Sequence, residues 1–270
     1  MLKDITIGQY FPGDSPVHRL DPRMKLILTA AFVVILFVAQ NPLALGVGIV
    51  FLLIVYPISS VPMRLMLRSL RPILPIILLT SVLNMFFIEG ETLWSWWVFR
   101  ITDRGVMTAV LMSVRIAALI AGTSLLTYTT SPIALTDGIE QLFGPLKRFR
   151  VPVHEVAMMM TIALRFIPTL IEETDKIMSA QKARGADLES GGILQRVRAL
   201  IPILIPLFVS AFRRAEELAL AMECRCYHGG EGRTRMKVLH MGRLDIVSAL
   251  FMAVCVAAVI VVNIYGPGLL

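Results

Sequence analysis

Few side chains in this sequence are arranged for covalent chemistry. Cys224 and Cys226 flank a single residue, and His228 follows. Thiolates and an imidazole are zinc ligands, but zinc sites space paired cysteines two to four residues apart and recruit a second pair. That pattern is missing, so the two cysteines read as small flanks of Arg225. The four histidines, His18, His154, His228 and His240, have no serine or cysteine nucleophile at a recognisable spacing. No Gly-rich loop that could cradle phosphates occurs either. The chain is expected to be no enzyme and to hold neither metal nor ATP. What remains is a pair of arginines, in Ala183-Arg184-Gly185 and in Cys224-Arg225-Cys226. A guanidinium stays charged when desolvated and offers a planar fork of donors. Its chemistry here is recognition. One arginine near a helix C-terminus is ordinarily a dipole-compatible surface charge; two ends of similar form weigh toward function.

The elements that carry these arginines are two long helices within residues 151–227. The first begins after Pro152, and Val153, Val156, Ala157, Met160, Leu164, Ile167, Ile171 and Met178 recur on it at three- and four-residue steps. His154, Glu155, Arg165, Glu172, Glu173, Asp175, Lys176 and Lys182 occupy the other faces, so the helix is expected at or below a membrane surface. Gly185 suits the left-handed position just past a helix end. The second helix, about 195–226, contains Pro202 and Pro206, which should kink or break its first half. Some 40 residues separate the two arginines, and the ends can sit side by side if the helices cross. Met158, Met159 and Met160, with Met178 and Met222, supply a pliable apolar surface of the kind that accepts several partners.

The 270 residues are 56% hydrophobic with a mean hydropathy of +0.75, the composition of an integral membrane protein. A net charge of +7 invites a nucleic-acid reading. The basic residues are interleaved with acids, however, and no aromatic or Gly-rich nucleic-acid motif accompanies them. Three cysteines, two of them beside Arg225, argue for reduced thiols. No cleavable signal peptide is expected, since acids and prolines precede the first apolar run.

Residues 1–25 are polar and turn-rich, and apolar runs 26–39 and 42–58 follow, separated by Gln40-Asn41-Pro42. The first run reaches only about 21 Å into a ~30 Å hydrocarbon core, so it borrows flanking residues or forms a shallow hairpin. Arg64, Arg68 and Arg71 within 61–71 mark a short basic cytoplasmic helix. A span over 72–88 leads to the Trp-rich loop 89–104, expected outside, and a span over 105–128 returns. Arg115 is the one charge deep in a span, a functional candidate by default, with Asn84 or main-chain carbonyls as partners. A last span covers 244–263. The expected fold is all-α, a polytopic membrane protein of about five spans with its N-terminus cytoplasmic and C-terminus outside. Its regions are 1–128 in the membrane, 129–243 cytoplasmic with the long amphipathic helices, and 244–270 in the membrane.

Several blocks resemble the transmembrane T component of energy-coupling factor (ECF) transporters. They are Gly8 to Lys25, Pro152 to Met160, Leu164 to Leu170, Gln181 to Gly185 and Ala215 to Glu223. The family's paired Ala-Arg-Gly-like motifs fall on Arg184 and Arg225, the second being Cys-Arg-Cys here in place of small or glycine flanks. The resemblance implies a prokaryotic plasma-membrane complex of this scaffold, two ABC-type ATPases and a substrate-binding S component. The complex would deliver a vitamin or metal ion inward. ATP and magnesium would sit on the ATPases, with no cofactor on this chain and no nucleic-acid partner. Ala183, Arg184, Gly185, Cys224, Arg225 and Cys226 would couple to the ATPases; Met158, Met159, Met160, Ile167, Ile171 and Met178 would meet the S component. A self-contained secondary transporter would instead need broken or polar helices and an internal repeat, and an intramembrane enzyme would need a paired acid, metal ligands or a nucleophile in a span. The sequence offers neither set.

Overall fold

The computed structural model describes residues 9–88, 92–96, 99–186, 192–229 and 238–265. Among these described residues ten α-helices follow in chain order: α1 Pro16–Arg19, α2 Pro22–Val38, α3 Pro42–Ile58, α4 Met63–Leu70, α5 Leu74–Phe87, α6 Asp103–Thr129, α7 Pro132–Leu142, α8 Val153–Ala183, α9 Ile193–Glu223 and α10 Arg243–Tyr265. The fold is that of an all-α polytopic membrane protein with one small exception. Strands β1 Thr92–Trp96 and β2 Phe99–Thr102 pair antiparallel where the sequence suggested only a loop. Residues 89–91 and 97–98 of that loop lie outside the described residues.

Among the described residues four helices are long and apolar enough to cross a membrane: Met63–Phe87, Asp103–Thr129, Val153–Ala183 and Arg243–Tyr265. The inclusion of α8 differs from the sequence expectation. Its charge is concentrated after residue 171, and the stretch before it carries only Glu155 and Arg165 as full charges. The helices α2 and α3, of 17 residues each, are shorter.

The chain divides into two compact units, one of Gly8–Gly138 with Val238–Leu270, the other containing Ile139–Lys237. In the first, α2, α3, α6 and α10 pack around Phe32, Leu36, Leu52, Tyr56, Ala121 and Val259. Small residues let the backbones approach, as membrane packing requires. A Cβ on Gly122 would fall 2.3 Å from the Phe32 ring. Between α5 and α6 the hydroxyls of Ser81 and Ser113 meet at 2.5 Å.

The polar N-terminal block folds as a strap tied to this unit. Phe11 N–H donates to the Tyr128 carbonyl at 2.9 Å, and His18 lies between the Ser15 hydroxyl and the Phe11 carbonyl. Asp21 caps α2 and accepts from the Arg23 guanidinium, while its N–H donates to Asp245 on α10 at 2.9 Å. Lys25 Nζ donates to the carbonyls of His18 and Thr129. The strap's buried Ser15, Asp21 and Lys25 thus each have partners near the end of the apolar layer, where an unpaired polar group would be expensive.

Candidate functional site

The second unit presents the two arginine tips. α8 and α9 meet along Ile162, Phe166 and Leu170 on one side and Ala211, Ala215, Leu218 and Met222 on the other, around a cavity of about 280 Å³. Glu173 accepts from the Ser210 hydroxyl and from Arg214 Nη2, and Gln181 Nε2 donates to the Pro202 carbonyl at 3.3 Å. Partners on α9 fall in number as those on α8 rise, so the helices run antiparallel. Arg184 and Arg225 therefore sit at opposite ends of the pair, roughly 40 Å apart at 1.5 Å per residue. The side-by-side placement open to the sequence is not adopted. Nor do Pro202 and Pro206 break α9, which is one helix through both.

The two ends share one geometry. At the first, Gly185 N–H donates to the Lys182 carbonyl and Ala186 N–H to that of Gln181, both at 3.0 Å. At the second, Cys226 N–H donates to the Glu223 carbonyl at 2.8 Å and Tyr227 N–H to that of Met222 at 3.1 Å. Both are Schellman caps, with Arg184 and Arg225 each at the C-cap and the next residue left-handed. Gly185 has φ +85°; Cys226 adopts φ +56° despite its side chain. Ala183, Arg184, Gly185, Cys224, Arg225 and Cys226 are all exposed. No hydrogen bond or ion pair with the described residues engages either guanidinium. Two exposed, always-charged forks thus project beside the last carbonyls of their helices.

Of the six apolar candidates, Met160, Ile167, Ile171 and Met178 share a flank of α8 turned away from the line facing α9. Met158 and Met159 do not join it, because consecutive residues step about 100° around a helix. A second uncovered stripe escaped sequence reasoning: Phe208, Val209, Phe212 and Leu220 on α9 are all exposed, Phe212 by 69%. Their helical spacing was the available signal, but several apolar rows compete on α9 and only packing decides which faces α8. At the start of α8, His154 Nδ1 lies 2.8 Å from Glu140 on α7.

Arg115, the charge within α6, reaches the Ala39 carbonyl at the C-cap of α2. Asn263 on α10 completes that turn, donating to the Val38 carbonyl at 2.7 Å and accepting from Gln40 N–H. A main-chain carbonyl, and not Asn84, is its partner.

The sequence model of the CbiQ family, described as cobalt transport protein, matches residues 13–237. Similar chains carry the name energy-coupling factor transporter transmembrane protein EcfT. That of Acidaminococcus fermentans is 54% identical over 252 residues, 93% of this chain and 94% of the relative. That of Thermosediminibacter oceani is 55% identical over 258 residues, covering 96% and 97%. That of Bacillus subtilis is 50% identical over 240 residues, covering 88% and 91%.

Proposed function

The chain belongs to the CbiQ family and is a multi-pass transmembrane component of an ECF transporter, and from that premise we propose that it is the scaffold joining two ABC-type ATPases to an S component. The observation that carries this reading is the pair of identically capped, exposed arginines, without a side-chain partner among the described residues, at opposite ends of an antiparallel helix pair. A separation of roughly 40 Å suits two separate ATPase subunits, each taking one guanidinium into a groove of acidic or carbonyl acceptors. The rows around Met160 and Ile167 on α8 and Phe208 and Phe212 on α9 have no partner in the pair. They offer the S component a greasy helical surface. ATP closes the ATPases in this scheme, the tips move with them, and the S component tilts to release a vitamin or metal ion inward. The nucleotide and its magnesium stay on the ATPases. In this reading residues 129–243 lie on the cytoplasmic side of a prokaryotic plasma membrane, with 1–128 and 244–270 in the bilayer; α8, although long and apolar enough to span, lies along the surface because Glu155, Arg165 and the charges after residue 171 disfavour hydrocarbon.

The test is assembly and uptake by arginine variants. Buried interface arginines commonly cost about 2 kcal/mol or more when truncated, with an added penalty for partner groups left unpaired. Arg184→Ala or Arg225→Ala should weaken co-purification of the ATPases or uncouple hydrolysis from uptake, and the double variant should do worse than either. Arg184→Lys should recover only part, a point charge replacing a fork. A double alanine variant that assembled and transported like the parent would reduce both residues to surface charges.

A further inference from the structure

The membrane unit contains a groove that neither the arginine tips nor the uncovered apolar rows use. It runs between α2, α3, α6 and α10 beneath the N-terminal strap. Its volume is about 330 Å³, within the ~300–1,000 Å³ of small-ligand sites. Four helices agree on its direction. Lys25, Ile58, Thr129 and Leu244 mark the end beside the polar strap, and Phe32, Phe51, Gly122 and Met252 the deep end. The deep residues lie about seven positions along each helix, a depth of roughly 11 Å. The floor is aromatic, with the Phe51 ring stacked on Phe32 at 5.7 Å and on Phe251 at 5.1 Å. One side is open: Ile54, Ile58 and Val247 at the rim are exposed, so a chain can enter laterally from the bilayer.

Lys25 lines the groove and is only 6% exposed. Its ammonium has three donors, and two go to neutral acceptors, the His18 carbonyl at 3.0 Å and the Thr129 carbonyl at 2.8 Å. No carboxylate among the described residues comes within ion-pair distance of it. The nearby Asp21 is taken up by Arg23, and Asp245 by the N–H groups of Asp21 and Gly242. A buried cation with a donor to spare, at the polar end of an apolar groove in a membrane protein, fits an anionic headgroup on a hydrocarbon tail. We propose that the groove seats one acyl chain of an anionic membrane phospholipid, whose phosphodiester accepts the third Lys25 N–H.

Native mass spectrometry of the purified full chain, titrated with phosphatidylglycerol and with diacylglycerol of identical acyl chains, which lacks the phosphodiester, tests this. The first should bind about tenfold more tightly, the ratio supplied by one charge-assisted hydrogen bond at its weakest. Lys25→Met should erase the preference. Thr29→Phe, which fills the groove from α2 and leaves Lys25 in place, should weaken both lipids. A phosphatidylglycerol with a diazirine in its tail should crosslink to peptides containing Phe51 or Met252, a readout on the unaltered chain that stands even if Lys25→Met fails to fold. Equal affinity for the two lipids would overturn the headgroup assignment. Crosslinks confined to α5, or binding indifferent to Thr29→Phe, would overturn the site. In the assembled transporter, a partner's transmembrane helix crosslinked at Phe51 or Met252 would assign the groove to protein instead.

Discussion

Cys226 occupies a backbone position that glycine holds at the other tip. A side chain in the left-handed region costs on the order of 1 kcal/mol, and this chain accepts that cost to complete the second Schellman cap. Replacing Cys226 by glycine should relieve the strain, partly offset by the greater freedom of glycine in the unfolded chain, for a net gain of about 0.5–1 kcal/mol. Hydrogen exchange reads this locally: the amides of residues 226 and 227 should exchange roughly two- to fivefold more slowly. Gly185→Ala should do the reverse at residues 185 and 186, even though open space surrounds its missing Cβ, because φ and not crowding sets the cost. Unchanged exchange in both variants would mean the caps do not hold the tips. The arginines themselves gain from this geometry, since a C-cap held by two main-chain hydrogen bonds aims its side chain from a fixed base.

At the scale of elements, helix ends decide more than helix middles. The turn between α2 and α3 lies against α6 and α10, and its last carbonyls have no intrahelical partner. Arg115 and Asn263 supply the donors. The intramembrane charge is thereby explained as a cap on a neighbouring helix. Arg115→Met should leave the Ala39 carbonyl buried and unmet, at a cost of about 1–3 kcal/mol. Thermal unfolding of the detergent-purified chain should show a lower midpoint, with Arg115→Lys intermediate. An unchanged midpoint for Arg115→Met would show that the turn finds other donors. The pair α8 and α9 follows a similar logic: Glu173, with Ser210 and Arg214, fixes the register of two apolar surfaces that could slide without it.

For the whole molecule, charge asymmetry sets the expected side of the bilayer for each loop. Arg64, Arg68 and Arg71 on and just after α4 stand without acids in their stretch, and the positive-inside rule assigns them to the cytoplasm. The β1–β2 hairpin follows α5 at the opposite end of that helix and is therefore expected outside. In a variant whose native cysteines are replaced, an impermeant thiol reagent added from outside should label Thr92→Cys and spare Met66→Cys. The reverse pattern would invert the topology.

Much of this protein was legible in one dimension because its strongest signals are periodic or local. Apolar length marked α3, α5, α6 and α10; Pro152 and Gly185 bracketed α8; and the motif blocks pointed to a family that the relatives establish. The caps were readable at Gly185, where glycine is the local solution, and less so at Cys226, whose left-handed backbone has no glycine to announce it. What the sequence could not determine are relations between elements. The direction in which α9 returns along α8 depends on which apolar row of each helix buries against the other, and helical spacing permits several. The antiparallel choice, made by side-chain fit and the Glu173 contacts, sends Arg184 and Arg225 to opposite ends. In the same way Arg115 was visible as an anomaly in an apolar run, but its partner, a carbonyl 76 positions away, exists only once α2 has packed against α6.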